Sequence, residues 1–444
     1  MTFRQSDNMK YNMNYLSKLA VFLLLTLATL AVRGEEPTVM RLSLQQAQDY
    51  ALQHNYTLMN ATLSEKKAEA AKWEALSSML PQVKASFDYS SMCGYEMQFG
   101  AMHIPMNPYG TFGITASIAV TAQQIVGTMM SSTSKELSEI SRMQTELSTL
   151  INVKNIYVSI LAMEDVVGLL DSSLANMETL ERTTIESVKA GAAEQISADK
   201  ISVQVASMRN SIQANRRALN LLYNSLILQI GADVNSKLEL TTPLDELLDI
   251  SKAAQLTNAT FDMSRNYDYQ MLEKNEKLSH DQLLLAWLGF TPTLSAYYQY
   301  NAKTYFGKDE GMNMTPPNMI GAGVSLPLFQ SGTRIAKIKQ ANIDYQKTLN
   351  SRRQAEDGLQ VSHHQLCYDL LNALETYQTQ KSNLEVCKRV LDNTTEKYKF
   401  GHASGLEVTN ASTDIISAQS NYIQAVMSVI NAQLSLEQLL GGQR

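Results

Sequence analysis

The hydrophobic positions along this chain change period several times, and they do so in the same order twice. Residues 44–80 and 252–289 read as helical runs, and each stops just before a proline, Pro81 or Pro292, whose ring pushes the chain into extended structure. The period then drops to two. In "QVKASFDYS" Val83, Ala85, Phe87 and Tyr89 share one face and Lys84, Ser86, Asp88 and Ser90 the other; in "TLSAYYQY" Leu294, Ala296, Tyr298 and Tyr300 alternate with Ser295, Tyr297 and Gln299. A loop rich in Gly, Met, Asn and Pro leads in each case to a second alternating stretch. "FGITASIAV" puts Phe112, Ile114, Ala116, Ile118 and Val120 on one face, and "IGAGVSLPL" does the same with Ile320, Ala322, Val324, Leu326 and Leu328. The pattern predicts strands at about 82–91, 112–121, 293–301 and 319–328.

Beyond each strand pair the chain is helical for far longer than a globular domain uses. Residues 128–189 and 334–399 contain almost no Gly or Pro, and at 1.5 Å per residue the second run would reach roughly 100 Å. The next run, 406–440, places Ala411, Ile415, Ala418, Tyr422, Ala425, Val429, Ala432, Leu436 and Leu439 at spacings of four and three, the seam of a coiled coil. Ile201, Val205, Met208, Ile212, Asn215, Leu219, Leu222 and Leu226 form its first-half counterpart, interrupted by Asn215. Each half therefore predicts a long antiparallel helical hairpin.

The two halves align by counting. An offset of 211 carries Pro81 to Pro292 and Asn55-Tyr56 to Asn266-Tyr267; an offset of 210 carries Lys189 to Lys399, Gly191 to Gly401 and Ile196 to Leu406. The chain reads as two copies of one plan, 35–249 and 250–444, behind an N-terminal segment 1–34. That segment has Lys10 and Lys18 before an apolar run from Leu19 to Val32 and reads as a secretory signal peptide.

Small polar residues on one face of a strand and continuous apolar residues on the other suit a wall between lipid and a watery lumen. Four such strands cannot close a barrel, and open edges in lipid cost several kcal/mol per unpaired backbone group. The chain is therefore expected to oligomerise; three copies would give twelve strands around an aqueous lumen. Without residues 1–34, which hold Arg4, Lys10, Lys18, Arg33 and Asp7, the chain keeps 33 basic and 42 acidic residues, a balance that argues against nucleic acid as a partner. Cys93, Cys367 and Cys387 make no disulfide framework: twenty residues on one helix would set the last two about 30 Å apart.

Taken in order, "LSLQQAQDYALQHN", "LPQVKASFDYS", "VSLPLFQSGTRIAKIKQAN", "YKFGHASGLEVTNA" and "LSLEQLLGG" resemble the TolC family of outer-membrane efflux proteins over nearly all of residues 42–442. "LPLFQSG", Leu326–Gly332, and Tyr398 with Gly401 and Leu406 are its most specific parts; the first-half "VTAQQIVG" lacks the proline. The resemblance implies a mixed α and β membrane protein: a homotrimer with a twelve-stranded barrel among outer-membrane lipid, continued by a long α-helical barrel across the periplasm. It implies a passive exit duct for a tripartite efflux or type I secretion system, docking onto a periplasmic adaptor protein and an inner-membrane RND or ABC transporter.

By the same resemblance the breaks at 190–196 and 400–406 are the periplasmic tips, closed at rest and opened by the adaptor. Gly191, Ile196, Gly401, Ser404 and Leu406 fall at the tips, where docking is expected. Tyr398 matches the family's gate-linking tyrosine, Glu407 and Asn410 its two lumen-facing aspartates, Ser197 its partner acid and Ala403 its gate arginine. This chain thus keeps the tyrosine and one carboxylate of the lock, and three Glu407 side chains would form a cation-attracting ring.

Other candidates are weaker. "SSMCGYEMQFGAMHIPMNPYG" gathers Met92, Cys93, Met97, Met102, His103 and Met106, soft ligands that suit Cu(I), although a loop whose Met residues fill gaps is the plainer reading. His363 and His364 sit about 100° apart around a helix and read as a solvated pair. "GAGVSL", 321–326, lies inside a strand and is no nucleotide loop. No catalytic constellation presents itself, and neither an enzyme activity nor a cofactor is expected. A secreted coiled-coil structural or adhesive protein is the rival class; it accounts for the heptads but not for four lipid-compatible strands at matched places.

Overall fold

The computed structural model describes residues 39–100, 102–191, 194–247, 250–258, 260–306 and 316–441; the expected signal peptide lies outside them. Strand β1 (Val39–Leu42) leads into α1 (Leu44–His54), whose start is fixed by a capping box between Ser43 and Gln46. The single helix expected over 44–80 is two: α1 stops at Asn55 and α2 (Tyr56–Ser77) begins there. Asn55 is buried, its Oδ1 accepts the Leu58 N–H at 3.0 Å, and its Nδ2 donates to the Gln229 carbonyl at 2.7 Å. A side chain that caps one helix and ties down the end of another outweighs the helical propensity of its neighbours.

Strands β2 (Gln82–Ser90) and β5 (Tyr109–Val120) flank a short hairpin, β3 (Glu96–Phe99) and β4 (Met102–Pro105), which the sequence pattern did not predict. Helix α3 (Ala122–Lys189) continues without a break from a second capping box, Thr121 with Gln124. It spans 68 residues, roughly 100 Å. Helix α4 (Gln195–Ile230) returns along it, and β6 (Lys237–Leu240) pairs in parallel with β1.

After α5 (Leu244–Leu247) and α6 (Ile250–Leu256) the order recurs. The run expected over 252–289 is again divided, because buried Asn266 caps α7 (Tyr267–Trp287) and its Nδ2 donates to the Leu439 carbonyl at 2.8 Å. Strands β7 (Thr293–Tyr305) and β8 (Asn318–Ser325) lead to α8 (Thr333–Lys399), of 67 residues, and its return helix α9 (Gly405–Leu439). Strand β8 ends three residues earlier than expected, ahead of Pro327, which has no N–H to give a ladder.

The four long strands form one antiparallel sheet in the order β2-β5-β7-β8, with β2 and β8 at open edges. Its register aligns Val83, Ala116, Tyr298 and Ile320 in one row and Phe87, Phe112 and Ala302 in another, so the apolar faces of all four strands merge. None of the described residues covers this face: Val83 is 70 %, Phe87 71 % and Ile320 84 % exposed.

Below the sheet each long helix is flanked by two shorter ones laid end to end, α2 and α4 along α3, α7 and α9 along α8. The core gathers where these ends meet. Tyr157 of α3 is fully buried there; its hydroxyl donates to the Leu42 carbonyl at 3.0 Å and accepts the N–H groups of Thr241 and Thr242 at 3.2 and 3.1 Å. No helix among the described residues is long and apolar enough to cross a membrane.

Candidate functional site: the hairpin tips

At the end far from the sheet, α3 and α8 stop within two residues of a glycine in the left-handed region, Gly191 at φ +70° and Gly401 at φ +72°. After α8 the Gly401 N–H donates to the Tyr398 carbonyl at 3.0 Å and the His402 N–H to the Lys397 carbonyl at 2.8 Å, a Schellman closure that satisfies carbonyls the helix end would leave bare.

The two return helices start differently. Ser404 opens α9 with a capping box: its Oγ accepts the Glu407 N–H at 3.3 Å and its own N–H donates to Glu407 Oε2 at 3.1 Å. Helix α4 starts at Glu194 without a side-chain cap, and the Ser197 N–H donates to the Glu194 carbonyl at 3.0 Å. Glu407 and Asn410 are exposed on the first turns of α9, and Ser197 is half-buried on α4. Glu407 thus holds its carboxylate at the positive end of the helix and spends one oxygen on the cap. Ile196 and Leu406, at matching places, are both exposed.

Tyr398 is half-buried, and its hydroxyl shares a 3.2 Å hydrogen bond with that of buried Thr184 on α3, which joins the two hairpins. Around this bond lies an apolar cluster of Leu180, Ile201, Val205 and Val408, with the Tyr398 ring packed against it. Gly405 lies beneath the ring: a Cβ there would sit 3.8 Å from Tyr398 Cε2 and 3.7 Å from Ile201 Cδ1. Sequence reasoning missed Thr184; Ile201 and Val205 were visible as seam positions, without their contact to the second hairpin. Lys189 pairs with Glu186 at 2.8 Å on its own helix.

The remaining candidates carry less. The methionine-rich segment holds the β3–β4 hairpin, in which His103 Nδ1 lies 3.6 Å from Glu96 Oε2, and Cys93 is exposed and unbridged. Of the expected solvated pair only His364 is exposed; the His363 ring is half-buried, stacks on Phe261 at 5.1 Å, and has Cys367 Sγ 3.6 Å from its Nε2. Burial, with the neighbouring His364 second, holds His363 below the ordinary imidazole range.

Residues 263–442 match the outer membrane efflux protein family. Over 359 residues, 76 % of this chain and 72 % of the relative, the sequence is 23 % identical to the probable efflux pump outer membrane protein TtgC of Pseudomonas putida. The fold is that of the Campylobacter jejuni CmeC outer membrane channel (TM-score 0.75, 15 % identity, 90 % of this chain and 85 % of that one). It is equally that of the outer membrane protein VceC of Vibrio cholerae (TM-score 0.71, 15 % identity, 90 % and 96 %). The family match and the names of these relatives indicate an outer membrane protein.

Proposed function

We propose that this outer membrane efflux protein is one protomer of a trimeric channel whose three sheets close a twelve-stranded barrel and whose six hairpins continue it through the periplasm as a helical barrel. The observation that carries this reading is the four-stranded sheet with a continuous exposed apolar face and two open edges. Such a sheet is tolerable in lipid only if its edges are paired, and copies of the same chain supply the partners. The two halves are repeats, supported by the matching roles of Asn55 and Asn266.

In this reading the duct is passive. It leads from a tripartite efflux or type I secretion system, and a periplasmic adaptor working with an inner-membrane RND or ABC pump opens the tips. Gly191, Ile196, Gly401, Ser404 and Leu406 form the adaptor's docking rim, and Tyr398 holds the hairpins together at rest. Asn410 and Ser197 line the aperture with Glu407, whose three copies bias it toward cations. Reconstitution in planar bilayers tests the proposal: purified protein that needs detergent for extraction and gives discrete conductance steps supports it. A detergent-free soluble protein without conductance would instead point to the secreted coiled-coil reading.

A further inference from the structure

The contacts between the long helices recur 210 or 211 residues apart. Arg142 of α3 donates from Nε to Glu65 of α2 at 2.8 Å and from Nη1 to Glu146 at 2.9 Å. Arg352 of α8 pairs with Glu276 of α7 and, at 3.1 Å, with Glu356. The ends of the return helices match as well: a Cβ on Gly231 would meet the His54 carbonyl, and one on Gly441 the Arg265 carbonyl. Helix α2 therefore lies on α3 as α7 lies on α8, in the same register.

A further junction joins the halves, α3 against α7. Lys274 donates to Glu136 Oε2 at 2.7 Å, Gln144 to Asp268 Oδ1 at 2.6 Å, and Gln123 reaches the Leu285 carbonyl at 3.5 Å. Carried over by the same offsets, this junction becomes α8 against an α2: Gln346 opposite Leu63, Gln354 opposite Thr57, Thr333 opposite Glu74. All six residues are exposed in the single chain, Leu63 at 59 %, and Tyr56 and Met59 lie exposed on the same face as Leu63, at spacings of three and four.

We infer that the Tyr56, Met59 and Leu63 face of α2 receives the Gln346 and Gln354 face of α8 from a second copy, in the register in which α7 meets α3. This rests on the trimeric reading and adds what the seam is made of. Within the chain the junction is ionic, Glu136 with Lys274. Between copies the same two places are Gln346 and Leu63, and Thr57 replaces Asp268, so the ion pair of the internal junction has no counterpart in the seam, where Glu74 is the one acid among the matched places. Association should then resist salt, which screens charges but not apolar burial.

The test is oligomeric state in detergent, by size-exclusion chromatography with light scattering, at low salt and at about 1 M salt. Wild type is expected to stay trimeric at both. Leu63→Lys buries an unpaired ammonium and should weaken the trimer about tenfold or more. Leu63→Lys with Gln346→Glu rebuilds the Glu136–Lys274 pair across copies and should recover the trimer at low salt but not at high salt. A trimer indifferent to Leu63→Lys, or no recovery with Gln346→Glu, would overturn the seam while leaving the trimer standing. A wild type that is neither trimeric nor conducting would remove the reading beneath it.

Discussion

The hydroxyl of Tyr398 on α8 and that of Thr184 on α3 share a hydrogen bond of 3.2 Å, with Thr184 buried, so the two hairpins of one chain are tied together near their tips. Tyr398→Phe keeps the ring against Val408 and Ile201 and removes only this bond, about 1 kcal/mol. The expected outcome in single-channel recording is a larger fraction of time in the higher-conductance state. Thr184→Val should do the same, and the double variant should add little to either single one, because both remove one interaction.

One substitution separates the capping role of Glu407 from its proposed role at the aperture. Glutamine fills the last position of a capping box as well as glutamate does, so Glu407→Gln should leave thermal stability nearly unchanged. In the proposed trimer the same variant removes the negative ring, so cation preference and block by divalent ions should both fall; unchanged selectivity would exclude the gate role. Ser404→Ala is the reciprocal case, expected to cost about 1 kcal/mol while keeping the charge.

His363 gives the protein a weak dependence on acid. Its folded value lies below the ordinary imidazole one because the ring is partly buried against Phe261, so the unfolded chain takes up the proton first as pH falls. Its contribution is complete above the unfolded value, about 6.5, and is lost as pH falls through the lower folded value. The midpoint of thermal unfolding should drop between about pH 7 and pH 5, and His363→Phe, which keeps the stacking, should flatten that drop.

How much of this was legible in sequence depends on whether the signal was periodic or a single contact. The long helices are periodic over dozens of residues, and α8 and α9 begin and end within about one residue of where the pattern put them, while α3 ends where expected but starts earlier, at Ala122. The breaks at Asn55 and Asn266 were invisible as breaks because each is made by one side chain reaching a carbonyl more than 170 residues away. The His363 stack was lost for the same reason, since Phe261 lies a hundred residues upstream. The glycine tips were found because the left-handed turn has a residue signature, whereas the Thr184 partner of Tyr398 has none.

Glycines divide into those that hold the fold and those that merely occupy a helix, and alanine tells them apart. Gly231 has φ +76° and a Cβ there would stand 2.1 Å from the His54 carbonyl oxygen; at Gly441, φ +78°, it would stand 2.3 Å from that of Arg265. Neither backbone oxygen can step aside without shifting the junction where Asn55 or Asn266 is buried. Gly231→Ala and Gly441→Ala should therefore each cost more than the roughly 1–2 kcal/mol of a left-handed alanine alone. Gly191→Ala and Gly401→Ala, with open space around the new carbon, should cost only that strain. Gly168, inside α3 with nothing within 4 Å, should behave oppositely: alanine there restores helix propensity and stabilises by roughly 0.5–1 kcal/mol. Denaturant or thermal unfolding of the five variants should rank them in that order; a Gly231→Ala variant as stable as Gly401→Ala would mean the two return-helix ends are not pressed against the capped junctions at all.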